Sequence, residues 1–442
     1  MFANLFFVIL NLLLITSVLD QRSSLLLSNN PGLAFIYLAV TYPIFLLFLS
    51  NQCSRLSKRH FRNDHIILLA NIEVLLFFCF YYFILGAGRW LIANSFPIST
   101  VTLSIFSLLL FFTALFTCYY SIEKSRTRKS ALNNAWMSVR FLFPFVIPFL
   151  LVSLFTEANN FVPIDRILNS FGVSEEALVG TIFISLMNLA AVLTTLIILP
   201  PMAVLIWGCP KLKESELKNE LDQLCAKAKF KHAGFRIWTI MNNSMTAAIL
   251  GLIGKLRYVL FTQKLIDHVP RPSIVAILAH EIGHSHYHHL FYYPVILFGM
   301  VVTASLAHFY LFGPLMTTIA ADGDFAALIP FLSFLLFGSI VALYFRIVFG
   351  YFSRIFERQA DLHIFNLGCP AADMVEALDM LAVAAGNIHR EPNWHHYSIQ
   401  QRIDCINEAD RDRSLISKHA KHVRISLLVY FLILVFGVWK LL

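Results

Sequence analysis

Long unbroken apolar runs dominate this chain. A bilayer core about 30 Å thick takes roughly 20 apolar residues as helix, and nine stretches reach or approach that length: 2–19, 33–50, 66–87, 100–119, 141–155, 178–207, 292–313, 326–349 and 425–441. The fifth is short and carries Pro144 and Pro148. The first lacks the basic leading segment and A-x-A-like site of a cleaved signal, which predicts a retained span. Sizeable polar sequence occurs only over 208–291 and 350–424. There, Lys211 to Lys231 is charged with a helical period, placing Leu217, Leu221, Leu224 and Ala228 on one face. Residues 235–266 alternate as strands do, and 371–386 and 398–412 read as helices. The pattern predicts a mostly α, polytopic membrane protein with about nine transmembrane helices. About six lie in an N-terminal membrane region, 1–207. A polar domain, 208–424, is interrupted by two more (292–313 and 326–349), and the last occupies 425–442.

Composition agrees with the pattern. Of 442 residues 58% are hydrophobic and 14% charged, against about 25% charged in a soluble domain. Forty-two Phe exclude disorder, which requires a lack of apolar surface to bury. The net charge of +8 points to membrane topology and not to nucleic acid, because no basic patch lies on a soluble module with interleaved aromatics. Lys and Arg concentrate after alternate spans: Arg55, Lys58, Arg59 and Arg62 after the second, Lys124 to Arg140 after the fourth, Lys211 and Lys213 after the sixth. The positive-inside rule puts these loops, and with them 208–291 and 350–424, in the cytoplasm. Seven cysteines, an odd number with no C-x-x-C pair, describe neither a disulfide framework nor a Cys-based zinc site.

Chemistry concentrates in one motif. His280-Glu281-Ile282-Gly283-His284 is an H-E-x-x-H match, expected by chance roughly 0.02 times in a chain of this length and composition. On a helix, residues four apart share a face, so both imidazoles reach one ion and Glu281 lies beside it. Pro272 suits a helix start, and Ser273 to Ala279 is largely apolar. A buried helix has no cheap reason to place His, Glu and His on its inner face. The motif predicts one catalytic Zn2+ and a zinc-activated water with Glu281 as general base. His286, His288 and His289 follow closely, but three residues in one helical row cannot converge on one ion, so these are expected to be interfacial polar groups. The metzincin pattern fails at Tyr287 and Leu290.

A third ligand must come from elsewhere. Glu357 and Asp361 are four apart after the eighth span. Glu357 would complete a His₂Glu site with an open fourth position, and Asp361 could accept the other ring N–H of a ligand histidine. Spacing alone weighs this equally against a surface Glu paired with Arg354 and Arg358.

Together these segments resemble the membrane zinc endopeptidase family that includes the CAAX prenyl endopeptidase and the HtpX protease. In that family H-E-x-x-H is followed, past two spans, by E-x-x-x-D, as His280 to His284 is here by Glu357-x-x-x-Asp361. Asn243 to Gly251 is similar to the family's substrate-binding strand, Leu256 to Leu265 to the strand before the zinc helix, and His396 to Ile403 to its H-P-x-x-x-x-R-I segment, with Tyr397 in place of the Pro. The resemblance covers roughly 200–410. It implies that Glu357 is the third zinc ligand with Asp361 supporting it. It further implies that His396 and Arg402 hold the oxyanion or substrate backbone, and that Asn243 and Gly251 lie along an extended substrate.

The expected protein is therefore a membrane-embedded zinc metalloendopeptidase. Its small α+β gluzincin-type zinc peptidase domain sits at the cytoplasmic face of a bacterial inner membrane or endoplasmic reticulum. Its partners are the lipid bilayer and a protein or peptide substrate, with no nucleic acid. Two other readings compete. A site-2-type intramembrane protease would use Asp322-Gly323, which the predicted topology puts on the opposite side from His280. A transporter or scaffold with a structural metal site would need intramembrane charges, of which Glu73 is the main example.

Overall fold

The computed structural model describes residues 2–19, 30–95, 98–123, 128–158, 178–241, 244–320, 329–391 and 396–441. The chain is mostly helical and divides into two compact units, one of residues 1–199 and 312–338, the other of 200–311 and 339–442.

Within the first unit the helices are α1 (Phe2–Leu19), α2 (Pro31–Lys58), α3 (Asn63–Cys79), α4 (Ala87–Asn94), α5 (Ser99–Glu123), α6 (Arg128–Arg140), α7 (Phe143–Ala158) and most of α8 (Leu178–Trp207). Their apolar side chains leave water for lipid or for one another. The few polar side chains must then pair internally, since an unsatisfied group in hydrocarbon costs several kcal/mol. Tyr42 bonds Thr113 at 2.6 Å, Ser50 bonds Ser121 at 2.8 Å, and Asn71 donates to Asn4 at 2.9 Å. Glu73 accepts from Gln52 at 2.7 Å, which gives this acid a helix-pairing role.

The second unit carries the α+β portion. Helix α9 (Glu216–Lys227) is capped by Ser215, whose hydroxyl accepts from Lys218 N, as N-cap serines do. Strands β1 (Gly234–Ile237), β2 (Ala247–Leu250) and β3 (Tyr258–Phe261) form a sheet of order β1-β3-β2, with β1 parallel and β2 antiparallel to β3. Gly251, at φ +114°, turns the chain out of β2; a Cβ there would come within 2.8 Å of the Leu256 carbonyl oxygen. Then come α10 (Gln263–His268), α11 (Arg271–His286) and α12 (His289–Ala307). In the chain order α13 (Gly313–Ala320) and the first part of α14 (Ile329–Tyr344) belong to the first unit. Helices α15 (Gly350–His363), α16 (Ala371–Ala384), α17 (Ile399–Arg411) and α18 (Ser414–Leu441) complete the second. Its main core joins Leu221, Val259, Phe261, Leu265, Ile274, Leu278, Ala377 and Ile406, so sheet and helices α9, α10, α11, α16 and α17 share one apolar interior.

Among the described residues, six helices are long and apolar enough to cross a membrane: Gly32–Lys58, Asn63–Ile84, Ser99–Glu123, His289–Thr318, Phe331–Leu367 and Ser414–Leu441. A seventh results if Arg128–Arg140 and Phe143–Phe155, bent by 41° at their junction, are one broken span. Six, or with the bent pair seven, of the nine stretches read from hydropathy coincide with these helices. The first and sixth predicted spans are helical as α1 and α8, with apolar parts Asn4–Ile15 and Ile197–Trp207, and the fifth is half of the bent pair.

Phe261 is fully buried where sheet and helices meet. Phe261→Ala is expected to lower the stability of the detergent-solubilised protein by about 3–5 kcal/mol, measured by denaturant unfolding.

Candidate metal centre

Helix α11 begins at an extended Pro270, with Pro272 in its first turn where the missing N–H is harmless. It is buried on nearly every side, which its apolar Ile274 to Ala279 run permits. His280 and His284 follow on one face. Their Nε2 atoms lie 3.3 Å apart, and both face Glu357 of α15, at 3.7 Å from Oε2 and 3.3 Å from Oε1 respectively. Glu357 stands on a 37-residue helix, Phe331–Leu367. At 1.5 Å per residue that is about 55 Å, against a core of about 30 Å, so the end bearing Glu357 extends past the apolar part.

Gly283 makes this approach possible. A Cβ on it would lie 2.9 Å from His363 Cβ and 3.0 Å from Ala360 Cα. The glycine between the two histidines is therefore the point where α11 and α15 touch backbone to backbone.

The donor set fits a metal ion. One ligand atom each from His280, His284 and Glu357 lies within 4.8 Å of the others. The far side of each imidazole is engaged: His280 Nδ1 is 2.9 Å from Asp361 Oδ1, though off the ring N–H axis, and His284 Nδ1 is 3.0 Å from His289 Nδ1. With protons on both Nδ1 atoms, two nitrogen lone pairs and a carboxylate point at one buried spot, an arrangement that only a cation or proton relieves. Two nitrogens and one carboxylate oxygen are a donor set suited to Zn2+.

Asp361 is 1% exposed and takes a bidentate pair from Arg402 of α17, Nε at 2.9 Å and Nη2 at 2.7 Å. Burial opposes the guanidinium charge, but the Asp361 carboxylate outweighs it and holds Arg402 above its ordinary pKa. Arg402 Nη2 is 3.7 Å from Glu357 Oε2. Its donors are thus aimed at the two carboxylates, a different occupation from the oxyanion role that the family resemblance implies. His396 reaches the same place, with Nδ1 3.3 Å from Glu357 Oε2 and its side chain 38% exposed. Ser398, two residues on, starts α17 in a capping box with Gln401.

Glu281 faces the sheet. Burial raises its carboxyl above the usual range, and the backbone N–H of Ile249 in β2 bonds to it. Asn243 lies outside the described residues, and Gly251 closes the β2 end as described above.

The trailing histidines part company. His286 and His288 are exposed, His286 stacking on His363 with centroids 4.7 Å apart. His289 is 0% exposed. The expectation of an interfacial group fails for it: it packs directly behind His284. Helical periodicity misses it because His288 leaves the helix.

A helix-borne H-E-x-x-H and a distant carboxylate converging in a chain with several membrane-length helices define a membrane metallopeptidase. Comparison with known proteins agrees. Residues 211–424 match peptidase family M48. The fold matches the crystal structure of S. mikatae Ste24p with a TM-score of 0.52 and 16% identity, over 85% of this chain and 99% of that one. No curated protein matches the chain. Residues 211–424 thus resemble an M48 peptidase domain, and the chain is a multi-pass membrane metalloprotease.

Gly283→Val is expected to wedge α11 from α15. It should cost about 1–3 kcal/mol of stability as an overpacked contact and lower the zinc bound per purified molecule; unchanged zinc content would show that the close approach does not set the site.

Proposed function

We propose that this protein is a membrane-embedded zinc endopeptidase in which His280, His284 and Glu357 hold a single zinc ion beside the edge strand β2. The observation that carries this reading is the convergence of two imidazole nitrogens and one carboxylate on one spot, with the Glu281 carboxylate alongside. When bound, the ion supplies a Lewis acid that acidifies water and polarises the scissile carbonyl.

The protein's own groups do the rest. Glu281 accepts a proton from the attacking water and delivers it to the leaving amine nitrogen. One water is consumed, one C–N bond breaks and one C–O bond forms, with no covalent enzyme intermediate. His396, partly open to solvent, donates to the carbonyl oxygen as negative charge grows on it. Asp361 and Arg402 stand behind His280 and Glu357 and hold them against displacement.

β2 borders the sheet on the side of α11, so a substrate adds to it as an extended strand. Asn243 and Gly251 bracket that segment, as the family resemblance implies. Ile249 N–H meets Glu281, which puts the strand within reach of the base. The charge pattern of the loops supports a cytoplasmic active site, in an endoplasmic reticulum or bacterial inner membrane.

Two measurements test this reading. Glu281→Gln should retain one zinc per chain yet lose about 10²–10⁴-fold in kcat on a peptide substrate; undiminished cleavage removes Glu281 as base. Glu357→Ala should purify without zinc. Stripping the wild type with a chelator should abolish cleavage, and added zinc should restore it; retained metal in Glu357→Ala rules out that ligand.

A further inference from the structure

We infer that His289 and Gln359 form a hydrogen-bond relay that sets the tautomer of His284 and aims its Nε2 at the metal, making both positioning residues of the centre. The inference rests on the zinc reading above.

The relay consists of two hydrogen bonds in series. Gln359 Oε1 lies 3.0 Å from His289 Nε2. A carbonyl oxygen only accepts, so Nε2 carries the proton and donates. His289 Nδ1 is then a bare lone pair. It faces His284 Nδ1 at 3.0 Å, and two ring nitrogens at that distance need one proton between them, so His284 Nδ1–H donates. His284 Nε2 is left with its lone pair outward, 3.3 Å from Glu357 Oε1 and 3.3 Å from His280 Nε2. Reversing the Gln359 amide would reverse each step and protonate His284 Nε2, the form that binds no metal.

Several features serve this arrangement and have no other evident use. In a continuous helix His289, five residues on, would lie about 140° around the axis from His284. Instead His288 adopts φ 59° and ψ 27°, a left-handed conformation that costs a non-glycine residue roughly 1–2 kcal/mol. That break ends α11 and returns His289 beneath His284. The His289 ring is then clamped against Phe356, with centroids 4.2 Å apart and planes 9° from parallel. His289 and Gln359 are both buried, where a polar group is retained only when hydrogen-bonded. The two ligand histidines are thus backed differently: His280 by the anionic Asp361 with Arg402, His284 by a neutral His and amide.

Zinc affinity of the full-length detergent-solubilised protein, by competition with a chromogenic chelator, tests the relay. His289→Phe keeps the ring stacked on Phe356 but removes the acceptor; Gln359→Leu keeps bulk but removes the carbonyl. Each should raise the zinc Kd about 10–100-fold. Gln359→Glu preserves an acceptor oxygen and should stay near wild type, a rescue that mere packing would not produce. Thermal unfolding of the metal-free forms separates general damage from loss of the relay. If His289→Phe unfolds, the Gln359→Leu and Gln359→Glu pair decides. Wild-type affinity in Gln359→Leu, or an equal loss in Gln359→Glu, overturns the relay. A wild type that binds no zinc overturns the underlying metal centre instead.

Discussion

The centre depends on one close contact, the backbone approach of α11 and α15 at Gly283. Everything chemical lies within a turn of that point. His280 and His284 flank the glycine on one helix, and Glu357 and Asp361 flank Ala360 on the other. A side chain at either small position would push the helices apart, and the carboxylate would no longer meet the two nitrogens. Burial of the surrounding apolar faces holds the helices together, and the lack of a Cβ at Gly283 sets how near they come. The metal-binding geometry is in this sense a packing result.

Charge is distributed around that contact with little waste. Glu281, Glu357 and Asp361 are three carboxylates in a small, largely buried volume, which would repel one another strongly if left alone. Arg402 answers Asp361 with two hydrogen bonds and lies near Glu357, while a bound cation would answer Glu357. Glu281 is set apart on the sheet side, bonded to the Ile249 N–H. The same region therefore gives each of the three carboxylates a different nearest partner.

Membrane and catalysis meet in the helix Phe331–Leu367. It contains a stretch apolar enough for lipid, and Glu357 and Asp361 lie toward its C-terminal end. The polar sequence over 208–291 brings His280 and His284, and α12 begins at His289.

By itself the sequence determined the class of chemistry and much of its cast. H-E-x-x-H on a helical period needs only local geometry to bring two imidazoles to one face, whereas spacing left Glu357 evenly balanced between a ligand and a surface acid, and only the family resemblance favoured the ligand. The apolar runs likewise announced a membrane protein, because hydrophobicity is a property of the segment itself. Tertiary structure decided what depends on distance between remote segments. It brought Glu357 to the histidines and not into a surface pair with Arg354 and Arg358, and it gave Arg402 to Asp361. It also drew His289 under His284 through the break at His288. None of these could be read from spacing, since a helical period ends where the helix does and pairing across the chain is set by packing.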